Sequence, residues 1–151
     1  MDFTVVRYKI PELLDLNYKC ILDGLIKEHG YPKELEVSEK ELKNNIYKMF
    51  FRCCYDVKNG LLLKMGTKNK ILRAYRGFKR LKNKEIISIY GKNPVQEHYL
   101  IQRSKDQYVV NFHDFFRVTL VPLIAQLVHL RDYGKNEFLQ KKTYLDLYRD
   151  L

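Results

Sequence analysis

The sequence predicts an α/β fold, and the elements within its 151 residues alone are those of an α+β chain. Three patterns support this prediction. Apolar residues recur at helical spacing over residues 11–29 and again over residues 119–133. Between them, over residues 51–76, the period changes to two, which is typical of strands. The predicted order is therefore strand, helix, helix, β-meander and further helices.

The N-terminal residues predict a strand followed by a helix. Residues 3–8 are β-branched and aromatic, as in a short strand. Pro11 opens the helix, because the first turn leaves its N–H groups without intrahelical partners and proline has none to lose. Gly30 and Pro32 end it. Since a lone strand of a parallel sheet cannot pair, the N-terminal segment indicates part of a larger α/β domain.

The β-meander is predicted from its turns. Ser38 and Glu41 have the capping-box spacing and predict a short helix to about Met49. Asn59-Gly60 lies between two apolar runs, which is a strong short-range hairpin signal. The three predicted strands are Phe51–Val57, Leu61–Met65 and Lys70–Arg76.

The second half of the chain is predicted to be mainly helical. Residues 82–94 contain a short helix that ends at Gly91, and Thr119–Tyr133 is a long apolar helix. Pro122 is tolerated in the first turn of that long helix, and Gly134 follows its end. Residues 137–151 begin another amphipathic helix.

Some residue types in the chain suggest chemistry, but a structural role is favoured for each. His113 and Asp114 are neighbours in sequence, so their side chains point apart and do not form an acid–base pair. His129 lies on the apolar helix and is expected to be a packed or snorkelling histidine and not a ligand. On a strand, Cys53 and Cys54 would point to opposite faces, one inward and one outward, which does not favour a redox pair.

Composition limits the partners and the compartment. The net charge of +10 and pI near 9.4 suit a phosphate-bearing ligand, nucleic acid or an acidic lipid surface, without choosing between them. Basic residues are densest over Lys64–Lys84, yet no nucleic-acid motif accompanies them, so nucleic acid is not expected as a partner. No apolar run approaches membrane-spanning length, so no membrane association is expected. An odd set of three cysteines without metal-binding spacing indicates a reducing, cytoplasmic protein.

Several short segments, in the order in which they occur, resemble the cytosolic 5′-nucleotidase family of haloacid-dehalogenase-type phosphatases. The first resembles the second half of an Asp-x-Asp-x-Thr motif followed by Arg-Tyr and a helix, and later segments resemble the family's hairpin and the entry to its cap. The resemblance extends over nearly the whole chain and corresponds to the first third of the 5′-nucleotidase domain-containing proteins. The segments are Asp2–Pro11, His29–Leu35, Asp56–Lys64, Arg73–Gly77 and Val110–Phe116.

This resemblance implies Mg²⁺-dependent hydrolysis of nucleoside monophosphates through an aspartyl-phosphate. Asp2 matches the general acid/base, and its backbone carbonyl matches a magnesium ligand. Thr4 matches the motif threonine. Phe116 matches the aromatic residue that stacks on the base, although an aromatic residue before a helix is also typical of a core contact. The implied fold is the start of a haloacid-dehalogenase-like Rossmannoid domain with a cap region.

The resemblance also implies that important parts of the site are missing. The nucleophile would stand two positions before Asp2, and no residue of the 151 occupies that position. The sequence is therefore expected to be a truncated, inactive N-terminal part of one nucleotidase-like domain over residues 1–151. Within it we expect a catalytic-motif strand at 1–10, helices at 11–50, the β-meander at 51–80 and a helical cap region at 81–151.

Two further hypotheses from other classes remain open. One is a non-catalytic module that binds nucleotide or another phosphate ligand, or that self-associates through an exposed sheet edge. The other is a small basic nucleic-acid-binding protein. Without the parallel sheet, helices 11–29 and 119–133 are each expected to expose part of an apolar face, which would promote self-association.

Overall fold

The computed structural model describes residues 9–35, 53–66, 70–91, 109–112 and 117–151, which form an α+β protein. Its helices are α1 (Ile10–Lys27), α2 (Asn83–Tyr90), α3 (Leu120–Tyr133), α4 (Glu137–Lys141) and α5 (Tyr144–Arg149). Its strands are β1 (Cys53–Asp56), β2 (Leu61–Met65), β3 (Ile71–Arg76), β4 (Lys79–Arg80) and β5 (Val109–Asn111). Short 3₁₀ helices span Lys33–Leu35 and Arg117–Thr119. The strand predicted at 3–8 and the helix predicted from Ser38 lie outside the described ranges.

The strands form one antiparallel sheet in the order β4-β3-β2-β1-β5. The predicted β-meander is confirmed: β2 has the predicted bounds, and β1 and β3 lie within theirs. Asn59-Gly60 lies in the turn of the first hairpin, as its sequence predicts. The sheet is wider than predicted, because β4 pairs with β3 and β5 pairs with β1.

Both faces of the sheet carry apolar residues because side chains alternate along each strand. One face contributes Tyr55, Leu62 and Tyr75 to the main core, which also contains residues of α1, α3 and α5. The other face contributes Leu61, Leu63 and Ala74 to a smaller core covered by Ile86, Ile89 and Tyr90 of α2 and its C-terminal end. The meander therefore lies between two layers, and side chains on both of its faces are buried.

The first helix has the predicted amphipathic pattern. Tyr18, Leu22 and Leu25 are buried at helical spacing, and Pro11 lies in the first turn. The helix ends at Lys27, two residues before the predicted end, and Gly30 follows with a positive φ of 68°. Leu16 is 59% exposed, but a single exposed leucine does not make an apolar face, so the expectation that this helix exposes one stays a prediction.

The long apolar helix α3 is buried on nearly all sides. Every residue over positions 121–128 is buried, so the expectation that this helix exposes an apolar face is wrong for these residues. Its first turn holds Pro122 as predicted, and Gly134 follows its end in an extended conformation. Residues of α1 and of the sheet contact it, and α4 and α5 cover the remaining side.

The second half contains two features that the sequence did not predict. Residues 137–151 form two short helices, α4 and α5, and not one, because Thr143 caps a new helix: its Oγ1 accepts from the Asp146 N–H at 3.1 Å. The segment 81–151, for which a helical cap region is expected, also contains β5, which returns to the sheet beside β1. That pairing joins segments more than 50 residues apart, for which the local sequence carries no signal.

Candidate functional site

The residues to which the resemblance assigns roles lie outside the described ranges. This applies to Asp2 and Thr4, and to Phe116, which immediately precedes the 3₁₀ turn that leads into α3. His113 and Asp114 lie outside these ranges as well. The roles of Asp2, Thr4 and Phe116 therefore stay predictions.

The structure describes three of the resembling segments in full: His29–Leu35, the Asp56–Lys64 hairpin and Arg73–Gly77. Asp56 ends β1 and is only 2% exposed. Its Oδ1 accepts from the backbone N–H groups of Lys58 at 3.0 Å and Asn59 at 3.2 Å, and its Oδ2 accepts from Asn59 Nδ2 at 2.7 Å. The Tyr90 hydroxyl of α2 donates to the same Oδ2 at 2.5 Å. Asp56 thus fixes the turn and attaches α2 to it.

Two glycines of these segments allow close packing between the sheet and the helices. Gly60 has a φ of 63°, and a Cβ atom there would lie 2.3 Å from Cδ1 of the Tyr144 ring. Gly77 has a φ of 57°, and a Cβ atom there would lie 2.7 Å from the backbone Cα of His129. Only glycine combines this backbone conformation with such an approach. Both segments therefore have a structural reason for their glycine.

A polar network joins the hairpin to the C-terminal helices. Asp132, near the end of α3, has an 11% exposed side chain and binds Arg131 Nη1 at 2.5 Å. The Tyr144 hydroxyl donates to the other oxygen of Asp132 at 2.9 Å, and Arg76 Nε lies 4.0 Å from that oxygen. Arg76 Nη2 also donates weakly to the Asn59 carbonyl at 3.5 Å. Asp132 thus pairs with two arginines, and Arg131 is much the closer.

Beside Arg76 a small cavity of about 140 Å³ opens between the β3–β4 turn, α2 and the end of α3. Its lining combines three cations, one carboxylate, two aliphatic side chains and one aromatic ring. These cations lie in the densest basic stretch of the sequence, Lys64–Lys84, to which the sequence alone assigns no specific ligand. The signal that could have located it is Arg-Gly-Phe-Lys-Arg, a tight turn with cations on both sides. The lining residues are Arg76, Lys79, Arg80, Leu81, Glu85, Ile89 and Tyr133.

His129 has the predicted packing role. Its ring lies 5.3 Å from the ring of Phe78 and 5.2 Å from that of Tyr133. Its Nδ1 is buried and has no hydrogen-bond partner among the described residues. Through these two tilted ring contacts, His129 joins the β3–β4 turn to the end of α3.

Cys53 and Cys54 are unsuited to nucleophilic or redox chemistry. Burial raises the pKa of the Cys53 thiol to about 12 and that of Cys54 to about 11, so the reactive thiolate is scarce at neutral pH. The Cys54 Sγ donates to Asn111 Oδ1 at 2.8 Å. The expectation that one of the two faces outward is wrong, since both are buried.

No metal site is found within the described ranges. Among their residues no three His, Cys, Asp or Glu side chains cluster in a way that could hold a metal ion. The magnesium site implied by the resemblance depends on Asp2, which lies outside those ranges.

Among the helices of the described residues, none is long and apolar enough to cross a membrane.

Comparison with known proteins identifies the family. The model of the 5′-nucleotidase family matches residues 1–151. The chain is also 32% identical over 160 residues to human 5′-nucleotidase domain-containing protein 1, an alignment that covers 100% of this chain. It spans about a third of the length of that relative, 32%. The chain therefore belongs to the 5′-nucleotidase family.

Proposed function

We propose that this chain contributes part of the active site of a nucleoside monophosphate phosphohydrolase. The match of the 5′-nucleotidase family over residues 1–151 carries the proposal. The resemblance of the segment that contains Asp2 and Thr4 to the family motif supplies the candidate catalytic residues. In this proposal Asp2 is the general acid/base, Thr4 is the motif threonine and Phe116 stacks on the nucleobase.

Asp2 would move one proton in each half of the reaction. Its carboxyl group would protonate the leaving ester oxygen, which a nucleoside leaving group requires, and the resulting carboxylate would then accept a proton from the attacking water. Magnesium would supply neutralisation of the phosphate charge, with Asp2 among its ligands. The nucleophile of this scheme has no counterpart among the 151 residues, so we propose that a polypeptide of these residues alone does not hydrolyse nucleotides.

Phosphate release from nucleoside monophosphates tests the assignment of Asp2. In the natural gene product that contains these residues, Asp2→Asn is expected to lower Mg²⁺-dependent turnover by about 100-fold or more, because general acid–base catalysis contributes that much. Asp23→Asn is the matched control, since Asp23 is an exposed carboxylate on α1 paired with Lys27. An Asp2→Asn variant as active as the parent would overturn the assignment.

The inactivity of the isolated polypeptide is tested in the same assay. The 151-residue chain is expected to release no more phosphate than buffer at any magnesium concentration. Release that requires magnesium and disappears in its Asp2→Asn variant would contradict this part of the proposal while supporting the assignment of Asp2.

We also propose a cytoplasmic location. The support is that Cys20, Cys53 and Cys54 are all unpaired, with two of them buried in the sheet. Free thiols persist in reducing compartments. Subcellular fractionation would test this, and recovery of the protein in a secretory fraction would contradict it.

A further inference from the structure

The cavity beside Arg76 has an excess of positive charge. Arg76, Lys79 and Arg80 line it, against the single carboxylate of Glu85. That carboxylate is already engaged, because Glu85 Oε2 accepts from the Lys82 N–H at 2.6 Å at the start of α2. A concave surface with one sign of charge concentrates the counter-ion. The cavity is thus suited to an anion.

Within the described ranges, the cations of this cavity are only partly neutralised by carboxylates. Among the described residues, no carboxylate forms an ion pair with Lys79 or Arg80. Arg76 Nε is buried without a hydrogen-bond partner in the same part of the chain, and Asp132 lies 4.0 Å away. Asp132 already binds Arg131 and Tyr144 at shorter distances. Asp132 therefore neutralises Arg76 only from a distance, and the positive charge of Arg76 adds to the charges of Lys79 and Arg80 around the cavity.

The size and the remaining walls indicate which anion fits. A volume of about 140 Å³ admits one tetrahedral oxyanion, while pockets for whole drug-sized ligands are typically about 300 Å³ or more. Arginine binds phosphate through two parallel N–H groups, and lysine binds it as a point charge. Tyr133, which also lines the cavity, is 46% exposed, and its ring centroid lies 5.5 Å from Lys79 Nζ. A group attached to the oxyanion would therefore leave the cavity across this ring.

We propose that the cavity formed by Arg76, Lys79, Arg80 and Tyr133 is a binding site for a phosphate group, either free or as a monoester. The three cations hold the phosphoryl oxygens, and Tyr133 contacts whatever the phosphate carries. This proposal does not depend on the roles of Asp2, Thr4 or Phe116.

Titration of the 151-residue protein with inorganic phosphate, followed by NMR in EDTA, tests the site. The expected result is a saturable shift of the Arg76 Nε–Hε resonance. Lys79→Ala and Arg80→Ala should each raise the dissociation constant for phosphate by about ten-fold, since each removes a charge-assisted contact. Lys79→Arg should retain binding. EDTA separates this result from any magnesium-dependent site.

Arg73→Ala is the matched control, because Arg73 is an exposed arginine on β3 that does not line the cavity. The dissociation constant of this variant for phosphate should stay within about two-fold of the parent's value at constant ionic strength. A non-saturable shift, or equal weakening by Arg73→Ala and Arg80→Ala, would overturn the proposal in favour of general charge attraction.

A second titration distinguishes a free phosphate from an ester. A nucleoside monophosphate that binds more tightly than inorganic phosphate, with the advantage lost in Tyr133→Ala, identifies the monoester as the ligand. Equal affinities that Tyr133→Ala does not change identify free phosphate. Failure of both ligands to shift Arg76 would contradict the proposal.

Discussion

Asp56 shows how one buried carboxylate organises its surroundings. The backbone N–H groups of two turn residues and the side chains of Asn59 and Tyr90 donate to its two oxygens. Burial of an ionised group is tolerated when such donors replace its water. The residue therefore acts on structure: it closes the hairpin and fastens α2 across the second face of the sheet.

Removal of this carboxylate is expected to destabilise the protein strongly. Asp56→Ala leaves several donors buried without an acceptor, and we expect it to lower the free energy of unfolding by about 3–5 kcal/mol. Tyr90→Phe removes one of the donors and should cost only about 1 kcal/mol. Urea unfolding followed by circular dichroism measures both, and similar costs for the two variants would contradict this account.

Gly60 allows a test of close packing against backbone strain. Gly60→Ala introduces a Cβ 2.3 Å from the Tyr144 ring at a φ of 63°, so both strain and a clash oppose it. Gly30→Ala has a similar φ of 68° but meets no atom within 4 Å. We expect about 1 kcal/mol of destabilisation for Gly30→Ala and about 3 kcal/mol or more for Gly60→Ala. Thermal unfolding measures both, and equal losses would show that the ring moves aside freely.

At the scale of elements, local sequence signals were sufficient to predict the elements that form between residues close together in the sequence. Pro11 predicted the start of α1, and Asn59-Gly60 predicted the first hairpin. The break between α4 and α5 also has a local signal, the capping box from Thr143 to Asp146, which the apolar periodicity concealed. By contrast, β5 is three residues long and is a strand only because β1 offers a free edge. Such pairing cannot be read from a short window.

The packing of α1 against α3 depends on one buried hydrogen bond between their middles. The Tyr18 hydroxyl donates to Gln126 Oε1 at 2.8 Å, and both side chains are buried. Gln126 lies in the fully buried stretch of α3, where its Oε1 would otherwise have no donor; its Nε2 has no hydrogen-bond partner among the described residues. The bond therefore fixes the register between two apolar helix surfaces.

Tyr18→Phe should lower the free energy of unfolding by about 1–3 kcal/mol at pH 7, because it leaves the Gln126 oxygen buried and unpaired. The double variant Tyr18→Phe with Gln126→Leu should recover part of this loss, since both polar groups are then removed. Denaturant unfolding of the single and double variants measures the coupling. A double variant less stable than the sum of the singles would contradict the account.

For the whole molecule, the sequence predicted the fold class and most elements, but the two kinds of site differ in origin. Asp2, Thr4 and Phe116 came from a resemblance, and these three residues lie outside the described ranges. The cavity at Arg76 comes from tertiary structure, because Tyr133 and Arg80 are far apart in sequence and meet only when α3 packs on the sheet. No composition or spacing rule could have placed that ring beside those cations.

Buried tyrosines give the whole molecule a predictable response to alkali. Burial raises the pKa of Tyr18 to about 12, because its effect exceeds that of the hydrogen bond to Gln126, which lowers the pKa. Burial raises the pKa values of Tyr31, Tyr55 and Tyr144 as well, with further increases from nearby carboxylates. In the unfolded chain each of these groups ionises near pH 10, the ordinary value. The folded state therefore retains protons that the unfolded state releases above that pH.

Stability should consequently be fully present below pH 10 and fall as the pH rises toward the folded-state pKa values, by up to about 1.4 kcal/mol per pH unit for each tyrosine. Urea unfolding between pH 8 and 11.5 measures this slope. Tyr18→Phe is expected to be less stable than the parent at pH 8 and yet to lose stability less steeply above pH 10, because one of the retained protons is gone. A slope that is flat above pH 10 would show that these hydroxyls titrate alike in the folded and unfolded chain. A slope unchanged in Tyr18→Phe would show this for Tyr18 alone.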